Sequence, residues 1–457
     1  MDTPARTALQ MITDFTLALR FDEIPPATVE MATLLTLDTM GVAAAATRMQ
    51  AAEIARDTAA MLFAAGADAP SARMLFDTRR VSPAGAAYAG ATQIDNLDAH
   101  DGYQPAKGHI GVVALPALAA FADTLPAVSG REALVCMVLG YEIGARAGVV
   151  LHSTVSDYHT SGAWNALAVA AIGARLRGHD AERLRQGLGI AEYHGPRSQM
   201  MREIDNPSML HDGSGWGALA GVTAAFLAEH GFTGAPALTV EAPEIAHNWA
   251  DLGSRWETDQ QFIKPYPICR WAHALIDAAL ELRREHGLMP ADVAAVEIAT
   301  FHESARLAGG MPDTSPRAQY SLPFPVAAAI ARGKVGLEEV TGDGLRDPEI
   351  ARLVAATTVR EEAKYNARFP DKGRWGDVTL VLKDGRRLES GETNARGGAE
   401  DPLPRAEVVA KFHEYAAPAV GEARAQEIAQ AILGLERPAA DFKRVIDLSL
   451  PNRPSGT

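Results

Sequence analysis

From about residue 5 to residue 255 the chain places alanine and leucine at helical spacing and carries almost no strand signal. A stretch that long with one periodicity can bury itself only as helix on helix. Helices are expected over residues 28–43 (entered through Ile24-Pro25-Pro26), 130–146, 160–176, 181–194 and 213–230. Thr160 or Ser161 is the expected N-cap of the third. The texture changes after Trp256. Residues 294–301 read as a strand, and 377–382 with 386–390 flank Lys383-Asp384-Gly385, a tight-hairpin signal. Helices are expected between them over 271–286, 321–332 and 347–357, and helical texture returns over 405–415 and 423–435. The fold class is therefore mainly α. A large all-helical domain covers residues 1–258, with 400–457 packing back onto it, and a smaller α+β domain covers 259–399.

Composition narrows the function. A formal charge of −14 with no block of clustered Lys and Arg argues against a nucleic-acid surface. An anionic ligand must then be held by local cations. Two cysteines, Cys136 and Cys269, exclude a disulfide scaffold and a cluster held by three or four thiolates of this chain. The first residues lack a basic-then-apolar leader profile, and the purely apolar runs fall short of a membrane span, so a cytoplasmic location without membrane contact is expected. The Ala-rich helices offer apolar surface for a homodimer.

Four polar clusters interrupt this apolar texture. The densest runs from Asp98 to His109 and holds Asp98, His100, Asp101, Tyr103, Lys107 and His109 between two Ala-rich flanks, with Gly102, Pro105 and Gly108 ending the helix. Titratable groups set in buried surface must pair or do chemistry. Asp98, His100, Asp101 and His109 could supply a mixed metal set, but no histidines stand four apart on a helix, and the expectation is no metal. The second cluster is Lys264-Pro265-Tyr266-Pro267-Ile268-Cys269-Arg270, a stiff segment whose Lys264 and Arg270 suit a carboxylate. The third, Ser156 to Gly162, places Tyr158 and His159 ahead of a helix that favours an anion. The fourth, Asn206 to Ala218, carries Ser208 and His211. Its Gly213, Gly215 and Ala218 match a dinucleotide fingerprint in spacing only, because no strand precedes them, and helix packing explains them better.

Together these residues resemble the MmgE/PrpD family, which includes 2-methylcitrate dehydratase, cis-aconitate decarboxylase and iminodisuccinate epimerase. The resemblance rests on Leu37-Asp38-Thr39-Met40-Gly41-Val42, Leu97 to His109, Gly140-Tyr141-Glu142-Ile143-Gly144, His159, Leu210-His211-Asp212-Gly213, Lys264 to Arg270 and Ser321-Leu322-Pro323-Phe324. It implies a helical domain with a smaller α+β lid-like domain, a site between them, a homodimer, and no cofactor. It also implies catalytic roles for Asp98, His109, His159 and Lys264, and Arg270, Ser208, His211, Lys107 and Tyr158 of the same clusters are expected around the substrate. Three departures matter: Ser208 stands where many members have Lys, Ile110 where many have Pro, and Phe324 near a Tyr of the decarboxylase-like branch. One cation and one phenol fewer weigh against decarboxylation and against a tricarboxylate.

The chemistry implied is proton abstraction next to a carboxylate. His109 or His159 is the candidate base, Asp98 orients a histidine, and Lys264 with Arg270 offsets the developing charge. The first reading is a cofactor-independent dehydratase of a small hydroxy-di- or tricarboxylate. The second is an epimerase using the same abstraction, and a decarboxylase or a silent binding protein comes third.

Overall fold

The computed structural model describes residues 6–307 and 309–450. The chain forms two compact units: residues 6–200, 212–263 and 404–450 make the first, and residues 201–211 and 264–403 the second. The stretch 201–211, which the periodicity assigns to the helical domain, belongs with the second unit.

The first unit is built on helices α1 (Pro26–Ala46), α2 (Pro83–Asp95), α3 (Gly111–Asp123), α4 (Gly130–Thr154), α5 (Gly162–Leu176), α6 (Ala181–His194) and α7 (Ser214–Glu229). Their starts follow local chemistry. Proline opens α1 and α2, and Ser82, Ser129 and Asp180 cap α2, α4 and α6 through side-chain oxygens. Helices α1 and α4 are long and apolar enough to cross a membrane by length and composition, and both lie almost entirely buried in this unit. A helix apolar on all sides is a core helix when others surround it. One short ribbon bears on the site: β1 (Gly102–Tyr103) pairs antiparallel with β2 (Gln261–Phe262).

Glycines set the closest approaches here. A Cβ at Gly217 on α7 would lie 2.4 Å from the Gly162 carbonyl oxygen of α5, and one at Gly215 would lie 2.0 Å from Thr92 Oγ1 of α2. The fingerprint-like spacing is therefore a packing device, and Asn206 to Asp212 before it hold turns and no strand.

In the second unit, α8 (His273–His286) is followed by β3 (Val293–Thr300), α9 (Pro323–Arg332), α10 (Pro348–Ala355), β4 (Thr357–Glu361), β5 (Trp375–Leu382), β6 (Arg387–Glu389) and β7 (Thr393–Asn394). The sheet order is β4-β3-β5-β6, with β7 also on β5; β3 and β4 run parallel and the other pairs antiparallel. The hairpin between β5 and β6 turns at Gly385, whose φ of 90° suits glycine. Strand β5 buries Gly376, Val378, Leu380 and Leu382 in strict alternation. Strand β4 escaped the sequence reading, which ran a helix through residue 357. The helix stops at Ala355, and the β-branched Thr357-Thr358-Val359 extends beside β3 instead.

The chain then returns to the first unit as α11 (Arg405–Val420) and α12 (Glu422–Leu433). Helix α11 lies against α1 so closely that a Cβ at Gly41 would sit 3.0 Å from Phe412 Cδ2.

Gly217→Ala tests the α5–α7 contact. In an isolated helix the change is favourable by about 1 kcal/mol. Here the new methyl meets backbone, which cannot rotate away, so a net loss of roughly 1–3 kcal/mol is expected. A lowered urea midpoint at unchanged slope is the measurement.

Candidate active site

Fifteen residues separate α2 from α3, and the loop they form is pinned through Asp101. The buried Asp101 carboxylate accepts from Thr39 Oγ1 of α1 (3.1 Å), from Tyr141 OH of α4 (3.1 Å) and from the Gly111 N–H at the start of α3 (3.1 Å). Gly111 permits this, since a Cβ there would lie 2.1 Å from Asp101 Oδ1. Gly108 is required similarly, because a Cβ would stand 2.5 Å from Ser161 Oγ and 2.6 Å from the Trp164 ring. Gly108, which looks like a helix breaker in the sequence, thus also admits side chains.

The Asp101 main-chain carbonyl receives two imidazoles, His109 Nδ1 at 2.6 Å and His100 Nδ1 at 3.2 Å. A carbonyl only accepts, so both rings carry their neutral-form proton on Nδ1 and leave Nε2 as the basic nitrogen. Each Nε2 then faces a carboxylate: His109 Nε2 lies 3.7 Å from Asp212 Oδ2, and His100 Nε2 lies 3.6 Å from Asp95 Oδ1. The rings meet edge to face, 4.5 Å between centroids. Asp212 is held in turn by Ser161, whose hydroxyl donates at 2.7 Å and whose N–H donates at 3.0 Å. That hydroxyl also accepts from the His109 N–H at 3.0 Å, and Asn165 Nδ2 donates to the His109 carbonyl at 2.5 Å. Ser161 stands at the N-cap position of α5 without capping it, its hydroxyl being committed to the site.

Burial, then the neighbouring Asp212, pushes the Asp95 carboxyl well above its usual range. Asp98 is buried beside Asp95, and its backbone is left-handed, φ 54°. Lys107 (φ 51°) and His211 (φ 46°) share this conformation, which bulky residues adopt only when their surroundings impose it.

The sequence singled out Asp98 as the carboxylate that orients a histidine; the carboxylates standing opposite the two imidazoles are Asp95 and Asp212. Asp95 had no sequence signal, being the last residue of a helix, and Asp212 lies in a quoted motif but received no role. Lys107 and Tyr158 engage each other, the tyrosine hydroxyl donating to the Lys107 carbonyl and the ammonium lying 5.0 Å from the ring centroid. His159 is buried, its N–H donates to His152 Nε2 at 3.2 Å, and its Nδ1 has no hydrogen-bond partner among the described residues. Burial and then Arg197 lower its pKa, so the ring is neutral at physiological pH.

The remaining residues singled out from the sequence belong to the second unit. Lys264 is 1% exposed at the head of the Lys-Pro-Tyr-Pro segment, which bends from Pro265 to Ile268 and which Tyr266 fastens through a 2.6 Å hydrogen bond to Asp277. Arg270 is buried and donates to the Ala395 and Arg396 carbonyls at 3.2 and 3.1 Å. Burial, then Arg374, lowers its pKa to about 9. Those bonds give Arg270 structural partners, where the sequence suggested a carboxylate clamp. His211 lies 5.5 Å from the Tyr320 ring, centroid to centroid. Ser208 is held by Glu203, which accepts from its N–H at 2.6 Å and its hydroxyl at 2.9 Å. Among the described residues no three His, Cys, Asp or Glu side chains are grouped so as to hold a metal ion.

A model of the MmgE/PrpD N-terminal domain matches residues 10–252, and one of the MmgE/PrpD C-terminal domain matches residues 266–437. Cis-aconitate decarboxylase of Aspergillus terreus is 23% identical over 475 residues, covering 94% of this chain and 93% of its own. A cis-aconitate decarboxylase-like protein of Aspergillus oryzae, oryM, is 23% identical over 416 residues, covering 81% of this chain and 83% of its own.

His152 gives the site a pH signature. Burial, then Lys107, lowers its pKa from 6.5 to about 4. Between those values the unfolded chain binds the proton and the folded one does not. The stability His152 contributes is therefore full above pH 6.5 and lost as pH falls toward 4. His152→Gln should flatten this limb when unfolding free energy is measured against pH in wild type and variant.

Proposed function

The chain belongs to the MmgE/PrpD family, and on that premise we propose that it is a lyase that removes a proton next to a carboxylate of a small hydroxy-di- or tricarboxylate and expels the hydroxyl. One observation carries this reading. His109 has its Nδ1 proton tied to the Asp101 carbonyl and its basic Nε2 beside Asp212, so the ring has a single orientation and the imidazolium formed on proton uptake meets a carboxylate. As His109 Nε2 takes the proton, the carbon–hydrogen pair becomes the new double bond and the hydroxyl departs with the carbon–oxygen pair. His159, held neutral, serves as a hydrogen-bond donor. Lys264 supplies the positive charge for the substrate carboxylate, a role that rests on the family pattern, in an otherwise acidic chain of net charge −14.

An epimerase reading is favoured by Ser208 alone. A serine held by Glu203 replaces a cation, which suits a substrate with fewer carboxylates. The names of the relatives add decarboxylation as a further outcome.

Incubation with a panel of di- and tricarboxylates in deuterated water separates these. A new double bond with loss of water supports the dehydratase, deuterium incorporation without net change supports the epimerase, and carbon dioxide release supports the decarboxylase. Absence of both exchange and turnover with every member refutes proton abstraction. His109→Gln should lower turnover by roughly 10²–10⁴-fold. Lys264→Ala should lower it by roughly 10²-fold or more, and near-normal turnover would remove Lys264 from the machinery.

A further inference from the structure

Behind the loop that carries His109 lies a buried charged group that the reaction does not use. Lys411 of α11 is 7% exposed, and its Nζ stands 2.7 Å from Asp38 Oδ1 of α1 and donates to the Ala99 carbonyl at 2.7 Å. Ala99 sits between Asp98, with its left-handed backbone, and His100. We propose that Lys411 is a positioning residue for His109: it holds the Ala99 carbonyl, and with it the left-handed turn that aims the Asp101 carbonyl at the His109 ring. The proposal deepens the reading of His109 as the base and rests on it.

Two arguments support this. The first is geometric. Neighbouring residues of α1 address neighbouring points of the loop: Asp38 acts through Lys411 on Ala99, and Thr39 bonds directly to the Asp101 carboxylate. A left-handed non-glycine residue costs of order 1–3 kcal/mol and persists only where its neighbours are over-determined. Lys411 fastens the residue just after Asp98, and Asp101 is fastened three residues on. The Asp98 N–H donates to the Asp95 carbonyl at 3.0 Å, so α2 fastens the strained residue on one side and Lys411, through Ala99, fastens it on the other.

The second argument is energetic. Desolvating an ammonium and a carboxylate together seldom gains stability over apolar residues of the same volume. Burial pushes the Asp38 carboxyl up to about 6, Lys411 pulls it down, and the nearby Asp101 raises it again. A pair so costly to bury is better explained by the conformation it enforces than by the stability it adds. The helix bearing Lys411 is brought close enough by Gly41, which admits Phe412 next to it.

The test uses the full chain with histidines labelled with nitrogen-15. In wild type, neutral His109 should show a protonated Nδ1 and an unprotonated Nε2, the signature of its bond to the Asp101 carbonyl. Lys411→Met should turn this into averaged shifts of two tautomers, and Lys411→Arg, which keeps a charged donor, should restore the single signature. If Lys411→Met strands Asp38 and fails to fold, Asp38→Asn with Lys411→Met removes both charges and is read in the same way. A folded Lys411→Met or double variant with wild-type His109 shifts overturns the proposal. Because the readout needs no substrate, it is separable from the proposed activity. If His109→Gln keeps full exchange, the reading of His109 as base fails, and the tautomer response still reports whether Lys411 sets the ring.

Discussion

The Asp101 residue joins the scaffold to the chemistry. Its carboxylate gathers donors from α1, α4 and the first turn of α3, so three helices agree on where one loop residue sits. Its carbonyl then dictates which nitrogen of two histidines carries a proton. Rigidity and proton inventory are usually supplied by different residues. Here one residue links them, and a shift in the packing of α1, α3 or α4 would be felt as a change in the orientation of the His109 ring.

The site is also an exercise in spending negative charge where water is scarce. Asp95, Asp98, Asp101 and Asp212 are all buried. Burial pushes the Asp95 and Asp101 carboxyls above their usual range, the neighbouring Asp212 adding to the effect at Asp95. Asp212, bonded twice by Ser161, is the carboxylate facing His109. The His109 imidazole therefore faces a carboxyl group held in place by two Ser161 donors.

Much of this was legible in advance. The dense run from Asp98 to His109 marked the candidate site, because polar groups set in apolar helices need a reason. Its helical flanks, the hairpin at Gly385 and the packing role of Gly215 followed from period, turn chemistry and residue size. Strand β4 was missed because Thr357 to Glu361 is half-exposed, and its pairing with β3 is a long-range event. Asp95, Ser161 and Asp212 were missed or given no role because each lies in a stretch that reads well as an ordinary helix end or turn. Arg270 was read as a carboxylate partner, and its bonds to the Ala395 and Arg396 carbonyls depend on residues more than a hundred positions away.

The sequence by itself determined the class of fold and drew attention to the histidine-bearing loop between α2 and α3 as the candidate site. Those properties follow from local spacing and from the cost of placing polar groups in apolar surroundings. Only the tertiary structure decided which nitrogen of His109 is basic, which carboxylate opposes it, and that a lysine more than three hundred residues downstream grips the same loop. Hydrogen-bond direction and charge partnership depend on distances of an ångström between residues far apart in the chain, and no pattern of spacing along a sequence carries that information.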